Sequence, residues 1–304
     1  MLRKMISVII LTLFMFSTMG LAFANSSSDM AVVEKVVVVE KFFDGTEQTG
    51  PLVERISKLE KDIWGKEHKG SLVSRADKLY AYCRGTFDSM SSLLIKINAT
   101  EWTLTHMITV QPAKARIDNL ERVLNGNAST GPFDDRLTEL LKLAYTNGKV
   151  VTKHVTIQKD SLLKIKITTP LNTHTSRPGD VVLFQVADDI YADDSLVIPK
   201  GAQGTGTVTK VERARNFGRD AQIQVSFDTI EAIDGTTIQT ILGEKAKEEN
   251  KSMALAAGAS VAGMVILGPI GIVGGAFVHG KEVDVPVGAQ MYIQVKESVP
   301  LYGI

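Results

Sequence analysis

The chain has 304 residues, 44% of them apolar and 22% charged, with 34 basic residues against 34 acidic ones. That composition fills at least one real core and has the length for two, which excludes a disordered polyelectrolyte. Without a basic excess to neutralise phosphates, no nucleic-acid partner is expected.

Arg3 and Lys4 precede an uncharged run from Met5 to Phe23, which ends in Ala22-Phe23-Ala24. These are the three regions of a secretory signal peptide, so residues 1–24 are expected to be removed and the mature chain to begin near Asn25. An uncut signal anchor is the alternative. No cysteine lies near the cleavage point, so lipid attachment there is excluded. Losing Arg3 and Lys4 leaves 32 basic against 34 acidic residues, a mature net charge near −2. Residues 25–44 read as an N-terminal segment, a strand candidate.

A repeated skeleton follows. Gly50-Pro51-Leu52 leads to Arg55 and Leu59, Gly70-Ser71-Leu72 to Arg75 and Leu79, Gln111-Pro112-Ala113 to Arg116 and Leu120, and Gly131-Pro132-Phe133 to Arg136 and Leu140. The offsets of 20, 41 and 20 describe a two-unit block duplicated after 61 residues, and self-similarity at fixed period marks repeated supersecondary units. In the first copy Leu52, Val53, Ile56, Leu59 and Ile63 form one helical stripe, with Glu54, Lys58 and Lys61 outside it. Each unit is therefore predicted as an amphipathic helix, with proline in its first turn and Gly65, Gly85, Gly126 or Gly148 at its exit. Such short helices shelter one another, and links such as Gly65 to Gly70 point to antiparallel hairpins over residues 45–148.

Cys83, the sole cysteine, matches Ile63, Leu124 and Ala144 in the other copies. It is expected as a buried, unreactive thiol rather than a redox or intermolecular site. Arg55, Arg75, Arg116 and Arg136 lie at the edge of the stripe. They serve either as packing residues paired with a carboxylate such as Glu60 or Glu121, or as a ladder of cations for an anionic envelope polymer. Between the blocks, Ser89 to Val110 suits one longer connecting helix or, by Thr103, Thr105 and Thr109, a strand. The whole stretch resembles the Gly-x-Leu-x-x-Arg-x-x-x-Leu-Glu repeats of exported proteins of diderm bacteria, which implies a cell-envelope setting and no particular chemistry.

From about Leu162 the period becomes two, in Leu163 to Ile167, Val181 to Val186, Ala202 to Val211, Ile223 to Phe227 and Thr236 to Ile241. Turns at Arg177-Pro178-Gly179-Asp180, Pro199-Lys200-Gly201, Phe217 to Asp220 and Asp234-Gly235 separate these runs. An antiparallel barrel or sandwich over 160–304 is expected, which makes the fold class α+β. Ile198-Pro199-Lys200-Gly201-Ala202-Gln203 is echoed by Val285-Pro286-Val287-Gly288-Ala289-Gln290, so residues 280–297 are expected to return to the barrel. Ser176-Arg177-x-Gly179-Asp180, Val197-Ile198-Pro199-Lys200-Gly201 and Gly204-x-Gly206-x-Val208 resemble the β-barrel domain of outer-membrane components of conjugation and type IV secretion machines.

Met253 to Val278 are 26 residues without a charge. Gly258, Gly263, Gly268, Pro269, Gly271, Gly274 and Gly275 interrupt the run, and the break at 268–269 leaves arms of 15 and 9 residues, neither long enough to span a bilayer as a helix. An inserted apolar helical hairpin is expected. It either enters the membrane or meets other subunits through its small residues, or folds over the barrel's own apolar surface.

Histidines 68, 106, 154, 174 and 279 have no metal-ligand spacing, and no nucleophile or nucleotide motif occurs. Ser161-Leu162-Leu163-Lys164 is a chance-grade Ser-x-x-Lys, Asp188-Asp189 and Asp193-Asp194 lack calcium-loop order, and Asn98-Ala99-Thr100 fits the glycosylation rule. The expectation is an exported, non-enzymatic envelope protein with no cofactor and no metal. Its partner is the outer membrane or an envelope protein, with a homo-oligomer as one option. The alternative is a soluble periplasmic module for glycan or peptide, with an enzyme as the third reading.

Overall fold

The computed structural model of the protein describes residues 30–85, 92–213, 221–256 and 283–304, with the backbone alone described at 254–256. Among the described residues six helices come first: α1 (Val32–Asp44), α2 (Leu52–Trp64), α3 (Leu72–Arg84), α4 (Leu93–Thr105), α5 (Ala113–Asn125) and α6 (Phe133–Ala144). Their starts show a block of three units, not two, repeated once. The segment 25–44, a strand candidate by sequence, holds α1. Its valine run favours a strand by propensity, but Val36, Val39 and Phe43 fall on one helical face and are buried together. Ser89 to Val110 likewise contains a regular repeat unit, α4, rather than a longer connector or a strand.

Pro51, Pro112 and Pro132 stand at the N-cap, one residue ahead of the expected first turn. Gly45, Gly65 and Gly126 close their helices in the left-handed conformation, each N–H donating to the carbonyl four residues back. Helix α6 instead ends at Ala144 with Tyr145 as its cap, so Gly148 belongs to the turn that follows.

The links do not make antiparallel hairpins. Glu67 accepts from Ser57 at 3.1 Å and pairs with Lys61 at 2.7 Å, while His68 N–H donates to Glu60 at 3.0 Å. Residues 65–71 therefore run back along α2, and the next helix starts at the same end as the last. All helices of a block point the same way, and the C-terminal ends of the first block meet the N-terminal ends of the second. A Cβ on Gly45 would stand 2.6 Å from Pro112 Cγ, and one on Gly65 2.8 Å from Pro132 Cγ. Phe43 packs edge-on against Phe133 with ring centroids 4.9 Å apart, and the Tyr82 hydroxyl donates to Asp134. Seven-residue returns were read as hairpin turns because length alone cannot distinguish a turn from an extended segment that spans a 13-residue helix, about 20 Å long.

The strands are β1 (Lys153–Ile157), β2 (Leu162–Ile167), β3 (Leu171–Asn172), β4 (Val181–Val186), β5 (Ile190–Ala192), β6 (Ser195–Ile198), β7 (Gln203–Glu212), β8 (Gln222–Glu231), β9 (Thr237–Ile241), β10 (Asp284–Val285), β11 (Gln290–Val295) and β12 (Val299–Gly303), with helix α7 (Glu244–Ala256) between β9 and β10. Six of them close an antiparallel barrel in the order β11-β2-β4-β7-β8-β9, while β1–β12, β3–β10 and β5–β6 form flanking pairs. The sequence allowed a barrel or a sandwich, and pairing of β11 with β9 at Gln294↔Ile241 and Val295↔Thr240 closes the ring. The two-residue period aims Leu163, Ile165, Ile167, Val182, Phe184 and Val186 inward, each burial contributing about 1.5–3 kcal/mol.

The sequence echo is a structural one. Gly201 N–H donates to Val186 C=O while Val186 N–H donates to Ala202 C=O, and Gly288, Ile167 and Ala289 repeat both bonds at the end of β2. Each Pro-x-Gly-Ala turn thus seats its strand on the preceding partner, and residues 283–295 return as β10, flanking the barrel beside β3, and β11, within it. Helix α4 lies against this domain: Asn98 Nδ2 donates to Ile233 C=O at 2.8 Å, Trp102 Nε1 to Asp189 at 3.0 Å and Ile108 N–H to Lys200 C=O at 2.9 Å.

Candidate interaction site

The four arginines singled out by the repeat are all held internally. Arg55 grips Glu40 through Nε at 2.8 Å and Nη2 at 2.6 Å; Arg75 grips Glu60, Arg116 grips Glu101 and Arg136 grips Glu121 in the same way, always across 15 residues. Each glutamate also accepts the backbone N–H eight residues on, from Gln48, His68, Thr109 or Ser129. The carboxylate therefore ties its own helix to the return segment and to the next helix. Units that open a block carry lysine at the arginine position (Lys35, Lys96), and units that close one carry Tyr80 or Leu141 at the glutamate position, where no following arginine needs a partner.

Hydrogen bonds donated to the glutamates raise Arg55, Arg75 and Arg136 above their ordinary pKa, whereas burial lowers Arg116, the most enclosed, against the pull of Glu101. With every guanidinium in a fork to a carboxylate, the ladder is a packing device and offers no row of free cations to an anionic polymer.

Cys83 is fully enclosed, and burial pushes its thiol up to about 12, which leaves no thiolate for redox chemistry at neutral pH. Asn98 is buried between Arg116 and Ile233 and is no glycan acceptor. Asp189 binds Trp102 and Lys200, and Asp193 and Asp194 form a left-handed turn between β5 and β6. Among the described residues no group of three or more His, Cys, Asp or Glu side chains converges as a metal site would. Ser161 Oγ donates to Gln158 C=O, while Lys164 Nζ lies 3.9 Å from Asp188, so the Ser-x-x-Lys pair is not brought together.

The remaining candidates, Gly258, Gly263, Gly268, Pro269, Gly271, Gly274 and Gly275, lie outside the described residues, as does the predicted hairpin beyond Ala256, its first four residues belonging to α7. The structure does describe the base from which that segment leaves. Asn250, buried on α7, donates through Nδ2 to Tyr292 C=O at 2.8 Å and accepts Tyr292 N–H at 2.6 Å. Strand β9 has ended by this level, so a side-chain amide stands in for the missing strand. Gln294 Oε1 accepts Ala246 N–H at 3.1 Å. A Cβ on Gly243 would fall 2.2 Å from the Gln294 carboxamide, so glycine there permits the approach.

These contacts run Ala246 to Gln294 and Asn250 to Tyr292, so α7 is antiparallel to β11 and its last residues lie toward the start of β11. The chain re-enters at that same end, where Thr173 N–H holds Val283 C=O and β10 pairs with β3 through Val285↔Leu171. The uncharged segment thus leaves and returns at one end of the barrel. Sequence reasoning missed Asn250, since a lone asparagine in a charged helix carries no pattern. It also missed the outer repeat units, although Lys35…Glu40 and Lys96…Glu101 keep the five-residue spacing of Arg55…Glu60. Among the described residues no helix is long and apolar enough to cross a membrane.

No protein-family model matches the chain, and no curated protein is significantly similar to it. Among solved structures it is similar to ComB10 of the Com type IV secretion system of Helicobacter pylori, at 15% identity and a TM-score of 0.28, over 47% of this chain and 89% of that one.

Proposed function

We propose that the protein is an exported, non-enzymatic component of the cell envelope, associated with the outer membrane through its uncharged glycine-rich segment. The observation that supports this most is the anchoring of that segment: both its ends are fixed at one end of a closed barrel, by Asn250 and Gln294 on one side and by the β10–β3 pair on the other. Twenty-six residues without a charge, between flanks held at one place, carry no ionic side chain that must stay in water. A segment of that kind gains free energy by entering lipid or an apolar partner surface. The signal-peptide pattern at residues 1–24 supports export. The helical blocks and the barrel serve as a rigid base, the four repeat arginines committed to internal pairs.

Flotation with phospholipid vesicles tests the reading. The mature chain should float with the vesicles and stay with them through a high-salt wash, and a version with residues 257–282 replaced by a short Gly/Ser linker should remain at the bottom. A wild-type chain that stays at the bottom, or is released by salt, would instead fit the soluble binding module.

A further inference from the structure

The repeat assigns a partner to two open faces. Within the molecule, the C-terminal face of the first block is covered by the N-terminal face of the second. At one repeat position Phe43, Ile63 and Cys83 are 1%, 0% and 0% exposed, beneath Pro112, Pro132 and Phe133. At the same position of the second block Leu104 and Ala144 are partly buried and Leu124 is 41% exposed, and beside them Val123 and Leu143 reach 77% and 61%. Gly126, the counterpart of Gly65, has no atom within 4 Å of where its Cβ would stand.

The opposite end shows the reciprocal gap. Ala113 and Phe133, which lead the helices seated in the internal seam, are 1% and 2% exposed, whereas Val32, Leu52 and Leu72 at the start of the first block are only partly buried. Beside them Val33, Val53 and Val73 are 50%, 48% and 53% exposed, and the caps Pro51 and Ser71 stand open where Pro112 and Pro132 are half-covered.

We propose that these two faces bind each other between copies, so that the α5–α6 ends of one chain seat the first-block helix starts of the next, head to tail. The internal seam supplies the template: the same repeat positions, a glycine cap opposite a Pro or Ser cap, and helix C-termini meeting helix N-termini, the favourable sense for their dipoles. Repeat arrays ordinarily end in polar capping units, and both ends of this one expose large apolar side chains. Because the two faces differ, the contact is heterologous and propagates until it closes into a ring or continues as a filament. It does not depend on the uncharged segment, so the membrane reading can fail while this one stands.

The test uses the full mature chain in detergent micelles, which suppress contacts through that segment, with sedimentation velocity over a wide concentration range. Wild type should grow in size with concentration, and the version with residues 257–282 replaced should do the same. Val53→Glu on one face and Leu124→Glu on the other should each weaken association by about tenfold or more. Both sites are exposed, so unchanged thermal unfolding will confirm that the variants fold. The decisive step is to mix them: each variant retains the face the other has lost, so the mixture should form a one-to-one dimer and nothing larger. A wild type that stays monomeric, variants that associate as wild type does, or a mixture that forms no dimer would each overturn the proposal.

Discussion

Removing Glu101 tests the logic of the repeat most severely. Its carboxylate accepts Arg116 Nε at 2.9 Å and Nη2 at 2.6 Å, Thr109 N–H at 2.9 Å and Thr109 Oγ1 at 2.7 Å. The Arg116 and Glu101 side chains are only 4% and 6% exposed. Glu101→Ala leaves a guanidinium with almost no water to turn to, a loss of about 3–5 kcal/mol when a buried pair is broken on one side. Against a total stability of about 5–15 kcal/mol that is roughly a fifth or more. Removing both charges, as Glu101→Leu with Arg116→Met, leaves only the neutral partners Asn98 and Thr109 unsatisfied and should cost about 1–3 kcal/mol. As a control, Glu139→Ala breaks the exposed Lys142 pair, with side chains 58% and 71% exposed, and should cost about 0.5 kcal/mol or less. Urea unfolding followed by circular dichroism measures all three. A loss below about 1 kcal/mol for Glu101→Ala, or a double variant as damaged as the single, would refute the argument that the fork is a buried and mutually dependent pair.

Three further outcomes are expected. Asn250→Leu strips both partners from the Tyr292 backbone and should cost about 2–4 kcal/mol, with faster amide exchange at Tyr292; unchanged exchange there would mean that the side chain does not complete the ladder. Gly45→Ala places a Cβ 2.6 Å from Pro112 Cγ at φ +85°, whereas Gly126→Ala, at φ +83°, meets no atom within 4 Å. The first should therefore lower the melting temperature clearly more than the second, and equal losses would show that backbone strain alone decides. Burial raises the Glu121 carboxyl, but bonds from Arg136 and Ser129 outweigh it and hold its pKa below the ordinary carboxylate value. The stability this contributes is complete above the unfolded-state pKa and is lost as pH falls through the lower folded one. Stability should thus hold from neutrality to about pH 5 and then decline. A decline already under way between pH 7 and 6 would show that this carboxylate does not govern the acid limb.

The helix stripes, the period-two strands and the Pro-x-Gly-Ala echo were legible because each is a local periodicity that burial imposes directly. Two repeat units were not, and the reason is specific: Lys35 and Lys96 stand where the other units carry arginine, and Ala31 and Ser92 where they carry a Pro or Ser preceded by Gly or Gln. The skeleton changes at the units that open each block, since no glutamate precedes them to be gripped. Helix direction was unreadable because a seven-residue link reports its length and not its path, and only the bonds from Glu67 and His68 back to α2 reveal the return. Cys83 had been matched to Leu124 and Ala144 as a shared core position, and that equivalence holds only in the first block. In the second block Leu124 is 41% exposed while Leu104 and Ala144 are only partly buried, a difference set by what stacks on them and invisible in any single unit.

In the proposed function the uncharged segment is the device that holds the protein at the outer membrane. Cell fractionation tests this most directly, comparing the wild-type chain with a version in which residues 257–282 are replaced by a short Gly/Ser linker while Asn250 and β10 are kept. The wild type should be recovered in the outer-membrane fraction and resist salt extraction, and the replaced version should appear in the soluble periplasmic fraction with its thermal unfolding intact. Recovery of both in the same fraction would contradict it.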